Sequence, residues 1–349
     1  MTDRVTVALD ANGADLGPGE VARGAALAAE RGVDVLLFGP AARLGDPAPG
    51  VEIVDAPVSI AKAADPARAV RATPESSIVQ AVRAVASGRA DALVSGGSTG
   101  AVLAAGLFEI RRARGVHRPA LAIVVPAPEA PFLLLDVCAN VEVRPEHLIQ
   151  FAHMGAAFME AVHGFERPRV ALLSNGEEPT RGPSDVVAAH AQLATAGNLN
   201  FIGNVEGFAF GTGAADVIVC DGFAGNVALK SMEGTMNALL RAIRAAAESG
   251  PRAIVGGTLL RPALQTLRDQ LDPQEQGGAV LLGLRKLCVV PHGSFEARGF
   301  ARAVEVAARG VREDVVGRSH ARLAAADVLR RAPRSEDASA VAASVTERS

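Results

Sequence analysis

Val217 to Gly234 reads V-I-V-C-D-G-F-A-G-N-V-A-L-K-S-M-E-G, and the fold turns on how that stretch is read. Val217 to Cys220 are apolar, with β-branched residues that suit a buried strand. Asp221 and Gly222 break the strand. Gly225 and Asn226 open a helical pattern in which Met236, Leu239, Leu240 and Ile243 recur at helical spacing. A strand that ends in a glycine turn and feeds a helix aims free backbone N–H groups at one point, and that point attracts anions, phosphate above all. Asn226, Lys230 and Glu233 share one helix face. Lys230 is one of only three lysines, with Lys62 and Lys286. A phosphate in front of the helix would give it a partner; otherwise it is a surface lysine pairing with Glu233.

Outward from this stretch, strand and helix patterns alternate. Strands are expected at Val5–Leu9, Val33–Phe38, Val51–Val54, Ala92–Ser95, Leu121–Val125, Leu133–Val137, Val170–Leu173 and near Phe201. Helices are expected from Pro18 to Glu30, Ser76 to Ser87, Gly100 to about Arg114, Pro145 to about Val162, Ser184 to Ala194 and Phe300 to Arg331. The segment from Ala56 to Thr73 shows no clear period. The alternation predicts a mainly parallel sheet covered on both faces, with ligands at the carboxyl ends of the strands. Polar glycine-containing loops follow the strands at Val5, Ala92, Leu133, Val170 and Val217, and one shared edge is expected for all of them. Residues 1–334 read as a single α/β domain and 335–349 as a disordered tail. A helical excursion is expected near 250–272, where Ile254, Val255, Leu259 and Leu260 form either an apolar tip for a membrane surface or a face packed on a dimer partner.

Composition narrows the function. The chain has 349 residues, 49% apolar, with a net charge of −3 and neither Trp nor Tyr. Near-neutral charge and the lack of stacking residues argue against nucleic acid as a partner. Cys138, Cys220 and Cys288 stand in apolar surroundings without a C-x-x-C pair, so buried free thiols in a reducing cytoplasm are expected. No signal peptide pattern precedes the first strand and no apolar run reaches spanning length, so a cytoplasmic location is expected. No metal is expected, because His117, His153, His163 and His190 lack ligand spacing. There is no dinucleotide loop either: Gly211-Thr-Gly213 precedes its strand and lacks the third glycine.

Gly96-Gly97-Ser98-Thr99-Gly100 matches the G-x-S-x-G nucleophile elbow of α/β-hydrolases, and Asp221 and His292 follow in the right order for a triad. No H-G-G-G segment precedes Ser98. On the competing reading, Thr99 and Gly100 start a helix and offer N–H groups to an anion. Asp10, Asp15, Asp136 and Asp221 end strands, where carboxylates serve as structural caps as readily as acid/base groups.

Together these loops resemble the bacterial phosphate acyltransferases, the acyl-acyl carrier protein:phosphate transacylases of the PlsX type, from about Val5 to about Val316. Asp221-Gly-Phe-Ala-Gly-Asn-Val-Ala-Leu-Lys-Ser-Met-Glu-Gly234 is close to that family's D-G-F-T-G-N-V-x-L-K-T-x-E-G. Phe201-Ile-Gly-Asn-Val-Glu-Gly207, Pro145-Glu-His-Leu-Ile-Gln-Phe151 and Gly277-Gly-Ala-Val-Leu-Leu-Gly283 are similar to further family segments. The chain departs from the pattern at Asn12, Ala14, Ser98, Cys138, Ser174-Asn175, Ala224, Gln276 and Pro291. Because Ser98 stands where relatives carry Asn, the resemblance argues against a serine nucleophile.

The resemblance implies a Rossmann-like three-layer α/β/α fold related to phosphotransacetylases, and a homodimer. It implies transfer of an acyl group from acyl carrier protein to inorganic phosphate, with no cofactor, giving an acyl phosphate for phospholipid synthesis. A glycerol-3-phosphate acyltransferase and the inner face of the plasma membrane are further expected contacts. The expected phosphate or substrate contacts are Asp10, Gly97, Ser98, Thr99, Gly100, Asn140, Glu177, Gly222 and Gly225. Lys230, Asn226, Asp221 and His292 are the expected catalytic residues, with Lys230 as the counter-ion of phosphate. Arg252, Arg261 and Arg268 are expected to dock the acidic carrier protein. A hydrolase built on Ser98, or a non-catalytic binder of the carrier protein, are the alternatives.

Overall fold

Short apolar runs become the strands of one eleven-stranded sheet in the computed structural model, which describes residues 4–127 and 129–330. In chain order the elements are β1 (Thr6–Asp10), α1 (Pro18–Glu30), β2 (Asp34–Gly39), β3 (Val51–Asp55), α2 (Pro66–Ala72), α3 (Ser77–Ala86), β4 (Ala92–Ser95) and α4 (Thr99–Ala105), which continues as a π turn over Gly106–Ile110. Then come β5 (Ala120–Val125), β6 (Phe132–Leu135), α5 (Pro145–His163), β7 (Val170–Leu173), α6 (Ser184–Leu193), β8 (Phe201–Val205), β9 (Val217–Val219), α7 (Gly222–Ala247) and α8 (Pro251–Gln270). The last are β10 (Ala279–Leu282), β11 (Leu287–Val290), α9 (Ala297–Arg312) and α10 (Val315–Ala325). The expected tail at 335–349 lies outside the described residues.

The strand order is β3-β2-β1-β4-β11-β10-β5-β6-β9-β7-β8. Seven of the ten neighbouring pairs are parallel, so the sheet is mostly parallel as its pattern predicts. The three antiparallel pairs are β11–β10, β10–β5 and β5–β6. They reverse the sense of the sheet at its centre. Strands β3, β2, β1, β4 and β11 run one way; β6, β9, β7 and β8 run the other. The expected single edge for all five polar loops is therefore wrong. The loops after β1 and β4 lie at one end of the strands, and those after β6, β7 and β9 lie at the opposite end. Hydrophobic pattern marks strands but not their direction, and the reversal comes from the Pro-rich β5–β6 connection.

Both faces are covered. Val7 and Leu9 of β1 join α1, α5, α6, α9 and α10 in one core; Ala8 joins α2, α3 and α4 in the other. Leu229 and Met232 bring α7 onto the second of these faces. The unread segment after Ala56 includes α2, capped by Asp65, whose carboxylate accepts from Arg68 N–H at 3.0 Å. The single helix expected to Arg331 is instead α9 and α10, parted at Asp314, whose φ is 48° and whose side chain caps α10. The excursion is larger than expected: α7 runs on to Ala247, and α7 and α8 form a hairpin.

Candidate functional site

The loops after β1, β4 and β11 meet at one end of three adjacent parallel strands. Asp10 ends β1, Ser95 ends β4, and the two stand in register. Ser95 Oγ donates to Asp10 Oδ2 at 2.8 Å and accepts from Gly97 N–H at 3.3 Å. Asn12 N–H donates to Asp10 Oδ1 at 3.1 Å, and the Asn12 amide donates to Ala56 O (3.1 Å) and Ser77 Oγ (3.0 Å). A small recess of ≈ 10 Å³, room for about one water, opens here, its polar lining supplied by Asp10, Asn12, Ser59, Ser77, Ser95 and Ser98. Asp10 is only 3% exposed. Burial pushes its carboxyl up to about 6, against the hydrogen bonds of Ser77, Ser95 and Asn12.

Two glycines let these loops touch. Gly13 has φ 96°, and a Cβ there would stand 2.7 Å from the Gly97 Cα. On the β11 side, Asp15 N–H donates to Gly293 O at 2.8 Å. His292 is exposed, and its Nδ1 accepts from Ser294 N–H at 3.3 Å and faces Ser294 Oγ at 2.8 Å.

The start of α4 is open. Ser98 occupies the N-cap position without bonding the helix through its side chain. Ala101 and Val102 N–H donate to Ser98 O, while among the described residues the N–H groups of Ser98, Thr99 and Gly100 have no hydrogen-bond partner. Unpartnered N–H groups at a helix start are the kind of turn that attracts an anion. The hydrolase reading fails on the same geometry. No base bonds Ser98, Asp221 lies at the far end of the strands, and His292 is engaged with Ser294. Ser98 also has an ordinary backbone, φ −62° and ψ 125°, where a nucleophile elbow needs a strained one.

The second cluster sits at the opposite end, after β6 and β9. Asp136 is fully buried and accepts from the N–H groups of Leu121, Cys138, Ala139 and Asn140 and from Asn140 Nδ2, at 2.7–3.2 Å. Burial raises its pKa, with those bonds opposing the shift. Asn140 Nδ2 also donates to Pro119 O, at 2.7 Å, and Asn140 O accepts from Gly222 N–H, at 2.7 Å. Asp221 caps α7: its Oδ1 accepts from Phe223 N–H (2.9 Å) and Ala224 N–H (2.8 Å), and its carbonyl from Gly225 N–H (3.0 Å). Each of the first four N–H groups of α7 is therefore spent inside the protein. Asn140, Gly222 and Gly225, expected as phosphate contacts, and Asp221, expected in catalysis, here lock two loops together. Gly225 is required by contact, since a Cβ would lie 1.9 Å from Asp136 O.

Asn226 and Glu177 are exposed at this second end, away from the recess. Lys230 is 53% exposed and pairs with Glu233 at 2.8 Å, the surface reading weighed from sequence. Arg252, Arg261 and Arg268 stand exposed along α8 with no carboxylate partner among the described residues. Cys138, expected in apolar surroundings, is exposed; Cys220 and Cys288 are buried and free. Sequence reasoning missed Ser59, Ser77 and Ser95, and named Asn12 only as a departure. The available signal was Ser95 ending a strand paired with the one that ends in Asp10; Ser59 lay in the unread segment, with Ser77 just beyond it.

The reversing α/β sheet has counterparts among solved structures. A solved phosphotransacetylase from Streptococcus pyogenes shares this fold with a TM-score of 0.60 and 16% identity, over 90% of this chain and 95% of that one. The chain belongs to the fatty acid synthesis protein family, whose model matches residues 5–318. It is 46% identical over 319 residues to a phosphate acyltransferase from Heliobacterium modesticaldum, covering 89% of this chain and 95% of that one. It is 43% identical over 312 residues to a phosphate acyltransferase from Pelotomaculum thermopropionicum, covering 87% and 91%.

Proposed function

We propose that the chain transfers an acyl group from acyl carrier protein to inorganic phosphate, giving an acyl phosphate for phospholipid synthesis. Family membership and the named activity of its relatives support this reading. The observation that carries it is the set of unpartnered N–H groups of Ser98, Thr99 and Gly100 above a recess rich in hydroxyls.

Phosphate is itself the nucleophile, so no covalent enzyme nucleophile is needed. The protein's task is to hold the dianion, aim one oxygen at the thioester carbonyl and keep water out. The open turn does the holding, and Asp10, through Ser95 and Gly97, fixes its shape. On this reading His292, on the adjoining loop, faces the thioester, and Lys230 and Asn226 approach only from α7.

The α7–α8 hairpin supplies the other contacts. Met236, Leu239 and Leu240 on α7 and Leu264 and Leu267 on α8 are 36–53% exposed, and a second copy packed along them would bury them. Ile254, Val255, Leu259 and Leu260 are 53–77% exposed and suit the inner face of the plasma membrane, reached from the cytoplasm. Among the described residues no helix is long and apolar enough to cross a membrane. Arg252, Arg261 and Arg268 offer the acidic carrier protein a docking strip.

The decisive assay mixes the protein with acyl-acyl carrier protein, with and without phosphate. Acyl phosphate formed only with phosphate supports the reading. Thioester loss independent of phosphate, or no reaction, overturns it.

A further inference from the structure

The strands at the centre of the sheet bring four basic segments to one surface. Residues 111–118, R-R-A-R-G-V-H-R, leave the π turn and lead into β5, and Arg111, Arg112, Arg114 and Arg118 are all exposed. The β10–β11 turn adds Arg285 and Lys286; Arg285 N–H donates to Arg111 O at 3.0 Å and its Nε to Arg112 O at 3.3 Å. Arg330 follows α10, its N–H donating to Gly115 O at 2.7 Å. Arg144 precedes α5, and its N–H donates to His147 Nδ1 at 3.2 Å. The His147 ring stands 5.7 Å from that of His117.

Charge does not cancel here. Residues 111–118, 142–147, 284–287 and 327–330 hold eight Arg and Lys against three carboxylates, Glu142, Glu146 and Asp327. The whole chain has a net charge of −3, so this surface opposes the sign of the rest. Among the described residues no ion pair includes any of the eight. Two imidazoles inside the patch register the field. Burial pushes His117 and His147 below the usual imidazole range. Glu146 opposes that shift at both; Arg330, Arg112 and Arg144 reinforce it at His117, and His117, Arg118 and Arg144 at His147. Like charges gathered without counter-ions repel one another, and an anionic partner relieves that cost.

The surface also has an apolar margin. Pro119 O accepts from Asn140 Nδ2, which joins the patch to the loops after β6 and β9. There Val141 is 67% and Phe223 63% exposed. Charged side chains around a small apolar spot are the layout of a protein–protein contact. The arginine fork holds both oxygens of a carboxylate. A chain without Trp or Tyr lacks the best stacking groups for RNA.

We propose that this surface is the principal docking site of the acidic acyl carrier protein, ahead of the three arginines strung along α8. The inference rests on the carrier protein as acyl donor. Docking a folded carrier and binding phosphate are separate tasks, and the first is measured without the second. Binding of apo carrier protein to the full chain is followed by calorimetry, with no acyl group and no phosphate present. Arg114→Glu, Arg118→Glu and Arg144→Glu together are compared with Arg252→Glu, Arg261→Glu and Arg268→Glu together. All six side chains are exposed, and a thermal melt checks that both variants fold. The patch variant is expected to weaken carrier binding about 10²-fold or more, and the α8 variant by less than about fivefold. Should the reversal fail to fold, glutamine at the same three positions is expected to weaken it about tenfold. Parent affinity is expected to fall steeply between about 0.05 and 0.5 M salt. The inference falls if the folded patch variant binds the carrier as the parent does, or if the α8 variant loses more. It also falls if the patch variant keeps the carrier but loses phosphatidylglycerol vesicles or single-stranded RNA, both measured in parallel. A parent that does not bind the carrier at all sinks the proposed acyl donor, and the inference with it.

Discussion

The β4–α4 and β9–α7 junctions are written in similar sequence, Gly96-Gly-Ser-Thr-Gly100 and Asp221-Gly-Phe-Ala-Gly225, and each turns a buried strand into a helix. In the second, Asp221 stands at the N-cap, and its carboxylate and carbonyl with Asn140 O absorb the first four N–H groups. In the first, Ser98 stands there, makes no such bond, and leaves three N–H groups free. The nearby carboxylate, Asp10, is held down by Ser95 and Asn12 instead of reaching the helix. A glycine turn before a helix is thus a site or a joint depending on what fills the cap. Asp at that position is among the best caps known, which made the second junction the weaker anion candidate of the two.

The sharpest way to break the comparison is to close the open junction. Ser98→Asp would give α4 its own carboxylate cap. Turnover with phosphate is expected to fall about 10²–10³-fold, or roughly 3–4 kcal/mol of transition-state stabilisation. The melting temperature should hold or rise, since Asp is a good N-cap. Steady-state kinetics beside a thermal melt checks both halves of that statement, and Ser98→Ala, which closes nothing, should lose little.

At the closed junction the effect should move from activity to stability. Gly225→Ala forces a methyl against Asp136 O and is expected to cost about 3 kcal/mol or more, read as a shifted denaturation midpoint. Asp221→Ala removes a cap that serves two N–H groups, and about 1–2 kcal/mol should be lost. Phosphate affinity measured well below the transition should stay within about twofold of the parent, in keeping with a cap that carries only about that much stability. A folded Asp221→Ala that no longer binds phosphate would erase the distinction between the two ends.

Smallest is the effect on stability of Lys230→Met. Its ion pair with Glu233 is half exposed, and such pairs contribute under about 0.5 kcal/mol. A large fall in turnover with that stability unchanged would bring α7 back to the site from across the shared face.

Much of this was legible because it depends on local pattern. The strands, the helix from Pro18 to Glu30 and the turn at Gly97–Gly100 follow from period and from glycine placement. What sequence could not carry was direction. Two strands of equal apolar character look alike whether parallel or antiparallel, so Gly222 and Gly97 were placed together although the sheet reverses between them. Nor does sequence show which polar groups are already engaged. Asn140 and Asp136 look available until their bonds to each other and to Gly222 are seen. Ser95 and Ser77 looked ordinary until register set them beside Asp10.

The position of β10 and β11 also governs how the chain comes together on the ribosome. They are the last of the described strands in chain order, yet they fill the centre of the sheet, between β4 and β5. Until residue 290 has emerged, β4 and β5 each present a bare edge of unpaired N–H and C=O groups, a template for any other exposed strand. Pairing β11 with β4 spans nearly two hundred residues of chain, the kind of non-local contact that slows folding. A chain ending before β10 would leave those two edges open, the kind of exposed strand edge that favours self-association.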